Sequence, residues 1–206
     1  MKKGSSLKDP LNIILAGVGG QGNVMASRVL ANMLSLKGFR ITIGETFGMS
    51  QRGGSVMSHI RVSGTSTWSP QIPKGKADIL IALEPVEAVR VMRLYGNPEI
   101  KVLVNTRTIH PVGVIAGDLD YPSLENIQKG LSTLTPHVWM LDATEEALKL
   151  GNPILSNIVI IGALCGLNLL PVGLAEFKAV IKNFFPEKHL EINRQAFEIG
   201  KEKVRN

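Results

Sequence analysis

The feature that most constrains this chain is a glycine turn set between an apolar run and an amphipathic one. Ile13-Ile14-Leu15-Ala16 has the length and branching of a buried strand. It leads into Gly17-Val18-Gly19-Gly20-Gln21-Gly22, a G-x-G-x-x-G pattern. Val24, Met25, Val29, Leu30, Met33 and Leu34 then follow about a helical turn apart. Gly38 ends that helix and Ile41-Thr42-Ile43 begins a second strand. The pattern predicts a Rossmann-like β-α-β unit whose turn faces a helix N-terminus. Gly17, Gly19, Gly20 and Gly22 let backbone approach a ligand closely, and the N–H groups of the first helical turn point outward. With Gln21 they are candidates for holding a phosphate or carboxylate. Glu45, at the end of the second strand, stands near where dinucleotide sites place a ribose-binding acid. The same glycines also suit plain strand–helix packing, and both readings stay open.

A second glycine-rich stretch follows Glu45, running Thr46-Phe47-Gly48-Met49-Ser50-Gln51-Arg52-Gly53-Gly54-Ser55. Backbone donors and a guanidinium in such a loop can converge on an anion, so Gln51, Arg52, Gly53, Gly54 and Ser55 join the candidates. An isolated Arg-Gly-Gly without repeats does not point to RNA. Val56 to Val62 then alternates as a half-buried strand. The loop before it is too short for a helical crossover, so antiparallel pairing is expected. Strands at 77–83, 101–104 and 137–141 alternate with helices from Pro85, from Ser123 (an N-cap) and after Asp142 (another). The expectation is one domain over residues 1–206: a three-layer α/β/α fold with a mainly parallel, mixed sheet.

Composition narrows the function classes. Cys165 is the only cysteine among 206 residues. The chain can therefore form no internal disulfide, no cysteine-based zinc site and no four-cysteine iron–sulfur cluster of its own, and a lone thiol suits the cytoplasm. The formal charge of +6 is moderate and no motif points to nucleic acid. Residues 1–10 read as a ragged start before the first strand, not a targeting segment. Pro153 to Leu170 is the most apolar stretch. It is short and punctuated by glycines, so it is expected to be a central buried helix rather than a membrane span. Gly162, Ala163 and Gly166 there form a small-residue face for another helix, inside the domain or at a subunit contact. Trp68, in the proline-containing loop 65–76, is expected as a lid over the core. Residues 106–121 form the least regular stretch, of the kind that is often functional or interface-forming. His110 and Arg107 lie in it, but no second histidine or carboxylate stands at ligand spacing, and no metal site is expected.

The two glycine loops also carry a resemblance. GVGGQG followed by QRGGSV and a short strand resembles the gamma-type domain of 2-oxoacid:ferredoxin oxidoreductases, most of all the beta subunits of the indolepyruvate-oxidising members. Further matching pieces are Ser69-Pro70, Ala77-Asp78-Ile79-Leu80 with Glu84-Pro85, Val104-Asn105-Thr106, Tyr121-Pro122 and Asp142-Ala143-Thr144. Later come Gly151-Asn152-Pro153, Asn157 with Gly162-Ala163-Leu164, and Asn193 with Ala196-Phe197 and Gly200. The likeness runs from about Asn12 to Gly200.

That resemblance implies oxidative decarboxylation of a 2-oxoacid, an arylpyruvate above all, to an acyl-CoA with electrons passed to ferredoxin. It implies thiamine diphosphate, Mg2+, [4Fe-4S] clusters and coenzyme A in the complex. The chain has no Gly-Asp-Gly…Asn-Asn pattern for thiamine diphosphate and one cysteine. A large alpha-type partner subunit is therefore expected to carry those groups, and this chain is expected to be inactive alone. Self-association stays open. The competing readings are a free-standing NAD(P)-dependent oxidoreductase using the glycine turn and Glu45, and a nucleotide-binding regulatory subunit. Against the former, no proton-transfer residue is evident beside a substrate-binding arginine.

Overall fold

The computed structural model describes residues 7–47 and 54–204. Strand β1, Leu11–Val18, is buried along its whole length. Helix α1, Asn23–Ser35, follows it, and β2, Arg40–Phe47, comes next. The chain enters α1 through Gly22 at φ 80° and leaves through Gly38 at φ 85°, a backbone region that side chains with a Cβ resist. Strand β3 is Ser55–Ser63. After the irregular segment 65–76 come β4 (Ile79–Ala82), α2 (Pro85–Tyr95), β5 (Lys101–Asn105), a short α3 (Val112–Ile115) and α4 (Leu124–Leu134). The chain finishes with β6 (Val138–Leu141), α5 (Ala143–Lys149), α6 (Ser156–Gly166), α7 (Leu174–Ile181) and α8 (Leu190–Lys203).

The sheet order is β2-β3-β1-β4-β5-β6. β4, β5 and β6 continue parallel from β1, while β3 is antiparallel to both β1 and β2. The sheet is thus mainly parallel and mixed, as expected, but β1 and β2 are not neighbours. The short connection after β2 forces a hairpin, and β3 occupies the edge of β1 that an ordinary β-α-β unit would give to β2.

Alternate residues of each strand feed two cores. Ile13, Leu15, Ile79 and Ile81 face α1, α5, α6, α7 and α8, whereas Ile14, Ala16, Leu80 and Ala82 face α2 and α4. This gives the three layers. α6 is buried from Asn157 to Gly166 and crosses α8 at backbone contact. A Cβ on Gly162 would stand 2.0 Å from the carbonyl oxygen of Phe197, and one on Gly200 would stand 1.8 Å from that of Val159. The small-residue face is therefore covered by this chain's own α8, and Phe177 of α7 stacks on Phe197 at 4.4 Å to close the crossing. In the loop 65–76, Arg61 donates to Asn12 Oδ1 and to the Ser69 carbonyl at 3.0 Å each, and the Trp68 ring lies over its guanidinium. No helix among the described residues is long and apolar enough to cross a membrane.

Candidate functional site

The C-terminal ends of the parallel strands share one edge of the sheet, and the glycine turn sits over it. From β1 the sheet extends to β3 and β2 on one side and to β4, β5 and β6 on the other, and open α/β sheets bind ligands in the crevice at such a switch point. Here Gln21 bridges that crevice. Its Oε1 accepts from the Val18 N–H at 2.7 Å, and its Nε2 donates to the Leu83 carbonyl at 2.8 Å. The side chain expected to meet a ligand thus ties the end of β1 to the end of β4.

The glycines divide by purpose. A Cβ on Gly17 would stand 2.6 Å from Gln21 Oε1, and one on Gly22 would stand 2.5 Å from Asn157 Nδ2, so both positions are held by packing. Gly20 has nothing within 4 Å of its Cβ position and a φ of 103°. It borders an open cleft. The Gly19 N–H donates to the Gly54 carbonyl at 2.8 Å, which joins the two glycine-rich stretches. Ser55, directly after Gly54, donates its hydroxyl to Glu87 Oε2 at 2.5 Å. Gln51, Arg52 and Gly53 lie outside the described residues.

Glu45 is not brought to the turn. It pairs with Ser58, which pairs in turn with Leu15, so it stands level with the middle of β1 and, by the usual strand spacing, ~10 Å to the side. Its carboxylate lies 3.7 Å from Arg28 Nε on α1. The insertion of β3 is the physical reason: the adjacent position from which a ribose acid would act belongs to another strand.

Three residues with no role assigned from the sequence organise this edge. Glu84, buried at the end of β4, caps α2 by accepting from the Glu87 N–H at 3.0 Å through Oε2. Its Oε1 accepts from the Tyr121 hydroxyl and from the Ile109 N–H at 3.4 Å. One carboxylate therefore starts a helix and anchors the loop 106–121. Glu87 accepts from Ser55 and pairs with Arg90 at 3.0 Å. Burial raises its carboxyl above the usual range; Ser55 and Arg90 pull it back, and the charge of Glu84 pushes it further up. Burial, then the hydrogen bond to Glu84, drives the Tyr121 hydroxyl upward, so it remains a donor at neutral pH. The signal that could have exposed this group is position: Glu84 is the first carboxylate beyond the C-terminal end of an apolar strand, where α/β folds concentrate their sites.

On the other side of the turn, Asn105 donates to the Leu83 carbonyl at 3.2 Å and to Thr144 Oγ1 at 3.0 Å, and it accepts from the Ala143 N–H at 3.0 Å. This fixes the start of α5 and opens a cleft of about 690 Å³ between Gly20, Arg107, His110, Ile115, Leu148 and Ile154, among others. With a guanidinium and an imidazole beside apolar walls, the cleft can receive an anionic group on an apolar body. Beneath it Asn157 is fully buried, and neither polar atom of its amide has a partner among the described residues.

The chain's residues do not fit the redox groups that the resemblance implies. Cys165 is buried in α6, and burial, then the charge of Glu176, pushes its thiol up to about 12. Among the described residues no three His, Cys, Asp or Glu side chains gather as a metal site.

Comparison with known proteins gives a consistent picture. A family profile described as "Pyruvate ferredoxin/flavodoxin oxidoreductase" matches residues 12–203. An Archaeoglobus fulgidus protein named indolepyruvate oxidoreductase subunit IorB is 38% identical over 190 residues, spanning 92% of this chain and 93% of that protein. Its Pyrococcus horikoshii namesake is 37% identical, with the same coverage of each chain. Among solved structures, the 2-oxoglutarate:ferredoxin oxidoreductase of Magnetococcus marinus, with 2-oxoglutarate, coenzyme A and succinyl-CoA bound, aligns with a TM-score of 0.73. That alignment covers 96% of this chain and 31% of the longer one, and at 19% identity it speaks for the fold.

Proposed function

Because this chain belongs to the pyruvate ferredoxin/flavodoxin oxidoreductase family, we propose that it is the small subunit of an indolepyruvate:ferredoxin oxidoreductase. The observation that carries this reading is the near-complete, reciprocal coverage of the indolepyruvate oxidoreductase subunits. The complex oxidatively decarboxylates an arylpyruvate to the corresponding acyl-CoA and passes the electrons to ferredoxin. Thiamine diphosphate with Mg2+ and the [4Fe-4S] clusters reside on a large partner subunit, since this chain offers one buried cysteine and no thiamine motif.

Within that assembly the turn Gly17–Gly22 and the loop from Gln51 to Ser55 border the shared active-site cleft, with Gly20 open to it. Gln51 and Arg52 contact an anionic group there, such as a coenzyme A phosphate or a substrate carboxylate. The placement of Glu45 on Arg28, and of Gln21 across the crevice, both weigh against a free-standing dinucleotide enzyme.

Anaerobic pull-down from native cells tests the reading, with the eluate assayed for indolepyruvate-dependent reduction of ferredoxin or viologen. A large brown partner bearing thiamine diphosphate, together with that activity, supports it. Recovery of the chain alone, binding NAD(H), overturns it. Arg52→Ala is expected to lower activity of the assembled complex by at least tenfold, and unchanged kinetics would remove Arg52 from the site.

A further inference from the structure

Beside the glycine turn, the segment 106–121 is folded by its own backbone. The Ile115 N–H donates to the Pro111 carbonyl, the Ala116 N–H to Val112, and the Asp118 and Leu119 N–H groups both to Gly113. Gly117, at φ 82°, reverses the chain, and Leu119 packs on Gly113. Glu84 holds the segment's base through Ile109 and Tyr121. A loop built this firmly would be expected to turn its apolar side chains inward, yet it turns them out: Val112 is 82% exposed, Ile115 74% and Leu119 64%. Leu148 and Ile154, each about half exposed, line the cleft that Ile115 also borders.

We propose that this apolar rim is the surface on which the large catalytic subunit seats. The proposal rests on the reading of the chain as a small subunit, and two observations select the occupant. First, the five side chains together expose on the order of 500 Å² of apolar surface. That is at the upper end of the ~300–600 Å² of a monomer's largest patch, which is often functional, and over half of the roughly 800 Å² per partner that a stable interface buries. Second, Ile115, Leu148 and Ile154 line the same cleft as Gly20, so a subunit that completes a cleft at the glycine turn passes over Ile115 to reach it. Ile115, which belongs both to the exposed loop and to the cleft wall, is the anchor whose desolvation contributes most.

The test is binding of this chain to its large subunit, co-expressed and purified anaerobically, with affinity measured by titration and mass by light scattering. Val112→Ser/Ile115→Ser/Leu119→Ser is expected to weaken the complex at least tenfold with the melting temperature of the free chain unchanged. Leu36→Ser, an exposed leucine just beyond α1 at the opposite end of the sheet, is expected to bind as wild type. Should the triple variant melt early, Ile115→Asp alone replaces it and is expected to give the same loss. Wild-type affinity in the variants would overturn the proposal while leaving the subunit reading intact. Loss of self-association with large-subunit binding unchanged would overturn it as well, making the rim a contact between copies. Failure of the wild-type chain to bind any large subunit would instead remove the subunit reading on which the proposal stands.

Discussion

The α6–α8 crossing and the rim around the glycine turn are opposite solutions to the same problem of fixing chain segments against one another. At the crossing, specificity is steric. Glycines at 162 and 200 let two backbones touch, and no polar side chain is needed to define the geometry. At the rim, specificity is polar. Glu84 and Glu87 tie three segments through hydrogen bonds to Ile109, Tyr121 and Ser55, and apolar side chains are left outside. The crossing, finished within the chain, is packed by shape, whereas the rim, with its apolar side chains open to the outside, is held by a few directional bonds.

Substitutions can break this contrast. The largest effect belongs to Gly200→Ala, whose Cβ would stand 1.8 Å from a backbone oxygen that cannot move aside cheaply. It is expected to cost about 3 kcal/mol or more, read as a lower denaturant midpoint. A cost under about 1 kcal/mol would mean that the helices can part without penalty. Tyr121→Phe removes one donor from buried Glu84 and is expected to cost about 1–2 kcal/mol. It should also weaken binding of the large subunit, since the base of the rim is loosened. Gly20→Ala makes the same chemical change as Gly200→Ala in open space, where only the positive φ resists it. A loss of about 1 kcal/mol is expected from thermal unfolding, well below that at Gly200.

The smallest effect is a pH dependence. The folded-state carboxyl of Glu87 titrates above its ordinary value, so the folded protein holds that proton more tightly than the unfolded chain does. Stability from this group is complete below the ordinary carboxyl value and falls as pH rises through the folded one. Glu87→Gln is therefore expected to flatten the stability profile between about pH 4.5 and neutrality, and to gain on wild type as pH rises. Parallel wild-type and variant profiles across that range would show that Ser55 and Arg90 already offset the burial.

Much of this was legible in the residues. Alternation of apolar runs and helices gave the layers, the short loop after Glu45 gave the antiparallel β3, and Gly162-Ala163 with Gly166 announced a close helix approach. Strand order was not legible, because pairing β3 with β1 is a long-range event that no local pattern encodes, and the expectation for Glu45 failed on that point alone. The role of Gln21 was hidden similarly: a glutamine in a glycine turn reads as a ligand contact until its two partners, Val18 and Leu83, are known. Glu84 directly precedes the helix predicted from Pro85 and proves to be its cap. Its second duty appears only when Tyr121, distant in sequence, folds onto it.

Cys165 gives this molecule a built-in clock. Its thiol lies in α6 beside the crossing with α8, closed to solvent and held protonated. An alkylating reagent needs the thiolate, so it reacts chiefly during excursions that open the packing around α6 and expose the thiol. The labelling rate of this single cysteine therefore counts those excursions without any introduced probe, and a slower rate in the assembled complex would report how far docking at the rim stills the opposite side of the sheet.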